Sequence, residues 1–202
     1  MKVIKTGPWV SSRIKWGILA LVVVLWFLLG GPFYIVDPEE EGVVLTFGRH
    51  TSTTPPGFHF KWPWPIQRVY KPAVNIVQRI EIGFRTISED PPSYISFTND
   101  AEMLAEAQML TGDENIINCA IIVQYRISDA TAYLFNVRDQ QGTLRDIAEA
   151  STRLVVGDNA IDAVLTTGKL DIQNRIMTMI QDIANEYDMG VNIVAVQLMD
   201  VQ

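Results

Sequence analysis

The feature that most constrains this chain is a run of 21 residues, Trp16 to Val36, that carries no charge and is densest in apolar side chains from Ile18 to Leu29. About 20 apolar residues at 1.5 Å rise per residue are enough to cross a hydrocarbon core of about 30 Å. The run therefore predicts a single transmembrane helix over 16–36, with Gly30, Gly31 and Pro32 weakening its last turns. Lys2, Lys5, Arg13 and Lys15 precede it without an acidic residue among them, and Asp37, Glu39, Glu40 and Glu41 follow it. The positive-inside bias makes 1–15 a short cytoplasmic tail and puts 37–202 across the membrane. Trp9 and Trp16 on one side, Phe33 and Tyr34 on the other, suit the interfacial aromatic belts. A cleaved signal peptide shares the basic start and the apolar core. No small-x-small cleavage site follows this core, however, where the chain reads Leu28-Leu-Gly-Gly-Pro-Phe33. An uncleaved anchor is the expectation.

Charge narrows the class further. The chain has 16 Lys plus Arg against 23 Asp plus Glu, a net of −7. From Asp37 onward 12 basic residues face 23 acidic ones. That excess argues against a nucleic-acid partner, which calls for a basic face toward the phosphates. Cys119 is the one cysteine, so neither an intramolecular disulfide framework nor a multi-cysteine metal site is available.

Beyond the anchor, Val43–Gly48 reads as a β-branched strand stopped by glycine, and Thr51–Gly57 as a loop by its Pro, Gly and Thr content. Ile66–Tyr70 and Val74–Ile82 return to strand composition, and Ser88–Pro92 is another loop. Glu102–Leu110 and Ile116–Ile127 flank Thr111-Gly-Asp-Glu-Asn115 like two strands of a hairpin. Ile117, Cys119, Ile121, Val123, Tyr125 and Ile127 fall on one face of the second strand. Helical signals follow at Ala130–Val137, Leu144–Val155, Asn159–Thr166 and Leu170–Tyr187, with Gly157 and Gly190 as stops. Val191–Val201 closes the chain as a strand. Strands, then helices, then one strand predict an α+β fold.

Little in this pattern reads as catalysis. Cys119 sits mid-strand on the apolar face, where a buried small hydrophobe is the expectation. His50 and His59 lack partners at metal-ligand spacing, so neither a metal nor a cofactor is called for. The acidic stretch 37–41 reads as a solvated collar, and Asp113 with Glu114 as turn residues. Asp171, Arg175, Asp182 and Glu186 read as an ordinary charged helix face, and Arg145 and Arg153 as surface ion-pair partners. Were the chain a membrane-tethered hydrolase instead, Ser88, Ser93, Ser96 and Cys119 would be the nucleophiles to test.

One segment stands apart. Phe58, Phe60, Trp62 and Trp64 place four aromatics within seven residues, with Lys61 among them and prolines that forbid a helix. Two readings stand: a hydrophobic loop packed on its own domain, or a wedge at the bilayer interface with Lys61 snorkelling.

Taken in order, the motifs have a family likeness. Glu41-Gly42-Val-Val-Leu-Thr-Phe47-Gly48-Arg49, then Pro56-Gly57-Phe58-His59 and Trp62-Pro-Trp-Pro65, resemble the opening of the stomatin/prohibitin/flotillin (SPFH, or band 7) domain. Met109-Leu-Thr111-Gly-Asp113-Glu114-Asn115, Val123-Gln-Tyr125-Arg126-Ile127 and Tyr133-Leu-Phe-Asn-Val137 are similar to its HflK branch. Leu154-Val-Val-Gly157, Asp162-Ala-Val-Leu-Thr166 and Tyr187-Asp-Met-Gly190 agree in order and spacing, so that the likeness covers 34–202.

The resemblance implies a membrane-proximal subdomain at 37–98 and a second at 99–202, both α/β. It implies a non-enzymatic scaffold in the bacterial inner membrane with its SPFH domain in the periplasm. It further implies self-association, assembly with an HflC-like paralogue around an FtsH-type protease, and contact with membrane lipids. A lipid-organising scaffold of stomatin type without a protease partner is the alternative within the family. Members also carry a longer glycine-rich N-terminal extension and, after the last strand, a coiled-coil helix and an oligomerising tail. The 202 residues are accordingly expected to be a piece of a longer chain.

Overall fold

The structure, a computed structural model, describes residues 16–21, 24, 31–86, 95–96, 105–166 and 168–201. They divide into two compact units, the first ending at Lys71 and the second beginning at Pro72. The change of unit thus lies upstream of the 98/99 division expected from sequence. Its cause is strand pairing: Gln78–Ile82 joins the sheet of the second unit.

The first unit is built of short strands. β1 (Phe33–Val36) pairs antiparallel with β4 (Gly57–Phe60), Phe33 opposite Phe60 and Val36 opposite Gly57. β2 (Gly42–Thr46) is the centre of a three-stranded sheet between β3 (Arg49–Thr54) and β5 (Gln67–Tyr70). Tyr34, Val36 and Val44, with Val69 against them, form its small core. Gly42 is needed where these strands meet, because a Cβ there would run into the Thr54 hydroxyl and lie 3.0 Å from Val36. That hydroxyl donates to the Gly42 carbonyl at 3.0 Å and lies 3.1 Å from the Tyr34 hydroxyl.

Three expectations change here. Residues 33–36, assigned to the end of a transmembrane helix, form β1. An apolar run has no period of its own, so its last residues follow the partner that pairs with them, here β4. Residues 16–21 and 24 are helical and exposed, residues 22, 23 and 25–30 lie outside the described residues, and among the described residues no helix is long and apolar enough to cross a membrane. Tyr34, expected in an aromatic belt, is buried at 8% exposure. Most of the loop expected over Thr51–Gly57 is β3, whose polar Thr and Ser residues are held by the ladder to β2.

The second unit has a larger core. β6 (Gln78–Ile82), β10 (Ile116–Ile127) and β11 (Val191–Val201) form one antiparallel sheet with β10 central. The short strands β7 (Arg85–Thr86) and β8 (Ile95–Ser96) pair with each other, and β9 (Gln108–Leu110) pairs with the start of β10. Ala105–Ala107 are helical, so the first hairpin strand is shorter than expected. Ile117, Cys119, Ile121, Val123, Tyr125 and Ile127 are all buried, as their alternation predicts.

Four helices follow: α1 (Ala130–Phe135), α2 (Gln140–Gly157), α3 (Ile161–Leu165) and α4 (Lys169–Glu186). The Asp129 carboxylate caps α1 by accepting from the Thr131 and Ala132 N–H groups at 2.7 and 3.0 Å. Asp139 caps α2 through the Gly142 N–H at 3.0 Å, which starts that helix four residues before its first apolar position. Ile172, Ile176, Ile180 and Ala184 line the buried stripe of α4, which packs on α2 and β11. Gly190, at φ 65°, turns the chain from α4 into β11 with its carbonyl accepting from Ser128 and Asp129.

Candidate functional site

Strand alternation decides what the first unit displays. In β1 the even positions Tyr34 and Val36 point to the core, so Phe33 and Ile35 must point out, and they are 54% and 60% exposed. The antiparallel register sets Phe60 opposite Phe33 and Phe58 opposite Ile35, on the same outward side. Phe58 and Phe60 are 67% and 61% exposed. The Phe33 ring stacks on Phe58 at 5.2 Å and meets Phe60 edge-on at 5.8 Å, while Phe60 meets Trp62 edge-on at 6.3 Å. The result is a continuous apolar face on a two-stranded ribbon. A large exposed apolar patch of this kind marks an interaction surface.

The segment after β4 is held by polar contacts that leave its indoles outside. The Lys61 N–H donates to the Pro32 carbonyl at 2.7 Å, and the Trp62 N–H to the Gln67 side-chain oxygen at 2.8 Å. The Gln67 amide in turn donates to the Thr46 hydroxyl at 3.1 Å, tying the turn to β2. Trp62 and Trp64 remain half exposed, and Lys61 is half-buried. The aromatic residues singled out by sequence are therefore brought together on the surface. Ile35 is the member that sequence missed. Its one signal was the alternation of Phe33-Tyr-Ile-Val36 with respect to β4, which is invisible inside an unbroken apolar run.

The motif residues serve the frame. Phe47 and Gly48, at φ 50° and 85°, make the two-residue turn from β2 to β3, and Arg49 begins β3 as an exposed residue. Pro56 and Gly57, the latter at φ 134°, lead into β4. The His59 ring points away from the aromatic face, toward Tyr34 at 5.5 Å, and its Nε2 lies 2.7 Å from the Pro55 carbonyl. In the second unit, Thr111 is buried and its hydroxyl donates to the Asp113 carboxylate, while Glu114 takes φ 65°. The Thr111 hydrogen bond, aided by those of Asn115 and the Ile161 N–H, holds the Asp113 carboxyl below its ordinary range. Asp113 thereby joins the β9–β10 turn to the start of α3. Tyr125 is buried and donates to the Gln78 side-chain oxygen at 2.8 Å, and burial pushes its phenol up. Arg126 is exposed on the opposite face of β10.

The other chemical candidates are placed as follows. Burial pushes the Cys119 thiol up to about 12, which removes the thiolate a nucleophile requires. Ser88 and Ser93 lie outside the described residues, and Ser96 falls in β8. A polar cleft of about 520 Å³ in the second unit is lined by Arg79, Arg85 and Arg145 together with Glu81 and Asp139. Its cations face carboxylates: Arg79 meets Glu81 at 3.3 Å, and Arg85 and Arg145 meet Glu106 at 2.8 and 3.8 Å. Burial pushes the Glu106 carboxyl up, but hydrogen bonds from Arg85 and the Gly83 N–H and the charges of Arg85 and Arg145 outweigh it, leaving it below the ordinary range.

Among the described residues from 31 onward the first unit is all strand, not the α/β subdomain expected from sequence, and its sheets precede a second unit that mixes strands and helices. The model of the SPFH domain / Band 7 family matches residues 34–202, and the chain belongs to that family. Within it, the chain is similar to proteins called HflK. It is 36% identical over 187 residues to Protein HflK of Treponema pallidum, covering 92% of this chain and 55% of that protein. It is 33% identical over 181 residues to Protein HflK of Borreliella burgdorferi, covering 90% and 56%. With the Modulator of FtsH protease HflK of Escherichia coli K12 it shares 28% identity over 189 residues, 94% of this chain and 39% of that protein. The chain thus spans about half the length of the first two relatives.

Proposed function

We propose that this chain is the SPFH portion of a membrane-anchored, non-catalytic scaffold of HflK type. It assembles with an HflC-like paralogue into a large complex around an FtsH-type protease and limits that protease's access to membrane substrates. The observation that carries this reading is the similarity, over 94% of the chain, to a protein named as a modulator of FtsH protease. The uncharged stretch ahead of β1, residues 16–32, and the charge asymmetry around it support a single-pass anchor with a cytoplasmic N-terminus and a periplasmic SPFH domain in a bacterial inner membrane. The outward ribbon of Phe33, Ile35, Phe58 and Phe60, with Trp62, Trp64 and Lys61 beside it, supports lipid contact at the outer leaflet. The scaffold acts as a wall of packed domains and needs no nucleophile.

The test is a mild-detergent pull-down of the tagged protein from its native membranes, followed by sizing and mass spectrometry. A very large particle containing the paralogue and the protease is expected. A small, protease-free species that retains lipid would replace this reading with that of a lipid-organising scaffold, which the same aromatic ribbon would serve.

A further inference from the structure

The tip of the β2–β3 hairpin breaks two local rules at once. Both of its central residues have positive φ, Phe47 at 50° and Gly48 at 85°, which is the conformation of a type I′ turn. The first position of that turn favours Asn or Asp, because an ordinary L-residue crowds its own backbone there and a bulky one crowds it most. Phe47 is also 78% exposed, so its ring gains little packing in its own unit in return for the strain. Among the described residues the other non-glycine residues at positive φ are Glu114 and Asp188, whose side chains are polar. A strained, solvent-facing aromatic marks a site whose stabilising partner lies outside the unit.

Position says which partner. The Phe47 N–H donates to the Ile66 carbonyl at 2.8 Å, and Thr46 is opposite Gln67, so the hairpin tip and the Pro63–Ile66 turn that bears Trp64 project from one end of the three-stranded sheet. At that end, too, the Pro32 carbonyl is bound by the Lys61 N–H and Gln67 holds Trp62. Pro32, within the uncharged run and just before β1, therefore brings the chain into the unit beside the same turn. Arg49 and Arg68, both exposed, flank the tip as phosphate-seeking cations.

We propose that Phe47 is a second insertion point, which carries the β2–β3 hairpin tip into the headgroup and acyl boundary of the phospholipid bilayer alongside Trp62 and Trp64. This rests on the lipid contact proposed above for the aromatic ribbon and extends it to a different strand pair. Strand pairing links the tip to the Trp64 turn, so two contacts fix the tilt of the unit where one would leave it free to pivot.

The experiment uses the full chain in phosphatidylcholine vesicles, carrying an environment-sensitive fluorophore on Phe47→Cys, Trp64→Cys or Ser52→Cys. Cys119 is fully buried and stays unlabelled. A lipid spin-labelled near its headgroup is expected to quench the probes at 47 and 64 and to leave the probe at 52, midway along β3, unquenched. Quenching at 64 without quenching at 47 would overturn the proposal and leave the aromatic ribbon's lipid contact standing. Quenching at neither position would overturn both. A probe at 47 whose emission shifts to the blue but resists quenching would put the tip against protein, whether a second copy or another chain, and would equally overturn it. Arg49→Cys, in ordinary strand conformation next to the tip, carries the same probe should Phe47→Cys fold poorly, and is expected to be quenched in the same way.

Discussion

The two units use apolar residues in opposite ways. The second gathers Ile, Val and Leu from β6, β10, β11, α2 and α4 into one buried core, in which Ile82, Ile121, Ile176 and Ile180 are fully covered. The first buries only a handful of apolar side chains, Tyr34, Val36, Val43, Val44 and Leu45, and it leaves Phe33, Phe47, Phe58 and Phe60 more than half exposed. Burial of apolar area contributes about 25 cal/mol per Å², so the second unit's fold rests on its own packing. The first withholds that stabilisation from several of its largest side chains. Aromatic content alone does not separate these cases. The difference is that β10 alternates against a sheet covered by helices, whereas the β1–β4 ribbon has one face on its small core and the other uncovered.

The largest effect expected from this contrast is in the core of the second unit. Ile180→Ala removes a fully buried side chain from the α4 stripe and should cost about 2–5 kcal/mol, as large-to-small changes in a packed core do. Denaturant unfolding of the full chain, followed by far-UV circular dichroism, reads it as a lowered midpoint at unchanged slope. A loss below about 0.5 kcal/mol, the range of an ordinary surface change, would mean that the α4–β11 packing carries less of the fold than its burial indicates.

How much of this was legible follows the same division. β11 is read from sequence to the residue, and α4 to within one at either end, because α4 is long and helically periodic and β11 is a long β-branched segment that begins directly after Gly190. The buried face of β10 is likewise written in its alternation. β3 was not legible: Arg-His-Thr-Ser-Thr-Thr has no apolar period, and its strand conformation is imposed by pairing with β2 across a turn that lacks the usual Asn-Gly. β1 was hidden inside the apolar run, since only the register with β4 tells inward Tyr34 and Val36 from outward Phe33 and Ile35. The aromatic segment 58–64 announced itself by density, but whether it lay inside or outside depended on β1. Phe47 was legible as a motif residue and not as an exposed one, because the strain that singles it out is a backbone dihedral.

A smaller effect distinguishes the polar cluster from the core. Glu106 receives Arg85 at 2.8 and 3.0 Å, and its carboxyl lies below the ordinary range in the folded chain. A carboxylate depressed in this way stabilises the fold fully above its unfolded value, and the contribution is lost as pH falls through the folded one. Glu106→Gln should therefore destabilise at neutral pH by less than Ile180→Ala. The gap between variant and wild type should stay constant above about pH 5 and close as pH falls below about 4.3, the unperturbed glutamate value. Stability measured at several pH values checks both. A gap that persisted at low pH would assign the cost to lost packing and not to charge.

The smallest effect on folding is expected where the aromatic content is densest. Trp64 is half exposed on a turn held by backbone bonds and by Gln67, so Trp64→Ala should change the stability of the first unit by less than about 1 kcal/mol, well below a core truncation. Phe58→Ser should cost somewhat more, because it also dissolves the stack on Phe33, a pair worth about 0.5–1.5 kcal/mol. Limited proteolysis of the full chain, read at sites before Lys71, separates this unit's stability from that of its neighbour. Loss of more than about 2 kcal/mol on Trp64→Ala would place the indole in the unit's own packing and remove the basis for assigning it to a bilayer. Near-silence in folding, set beside a clear loss of lipid quenching at the same end of the sheet, would show that these side chains are kept for a partner and not for the fold.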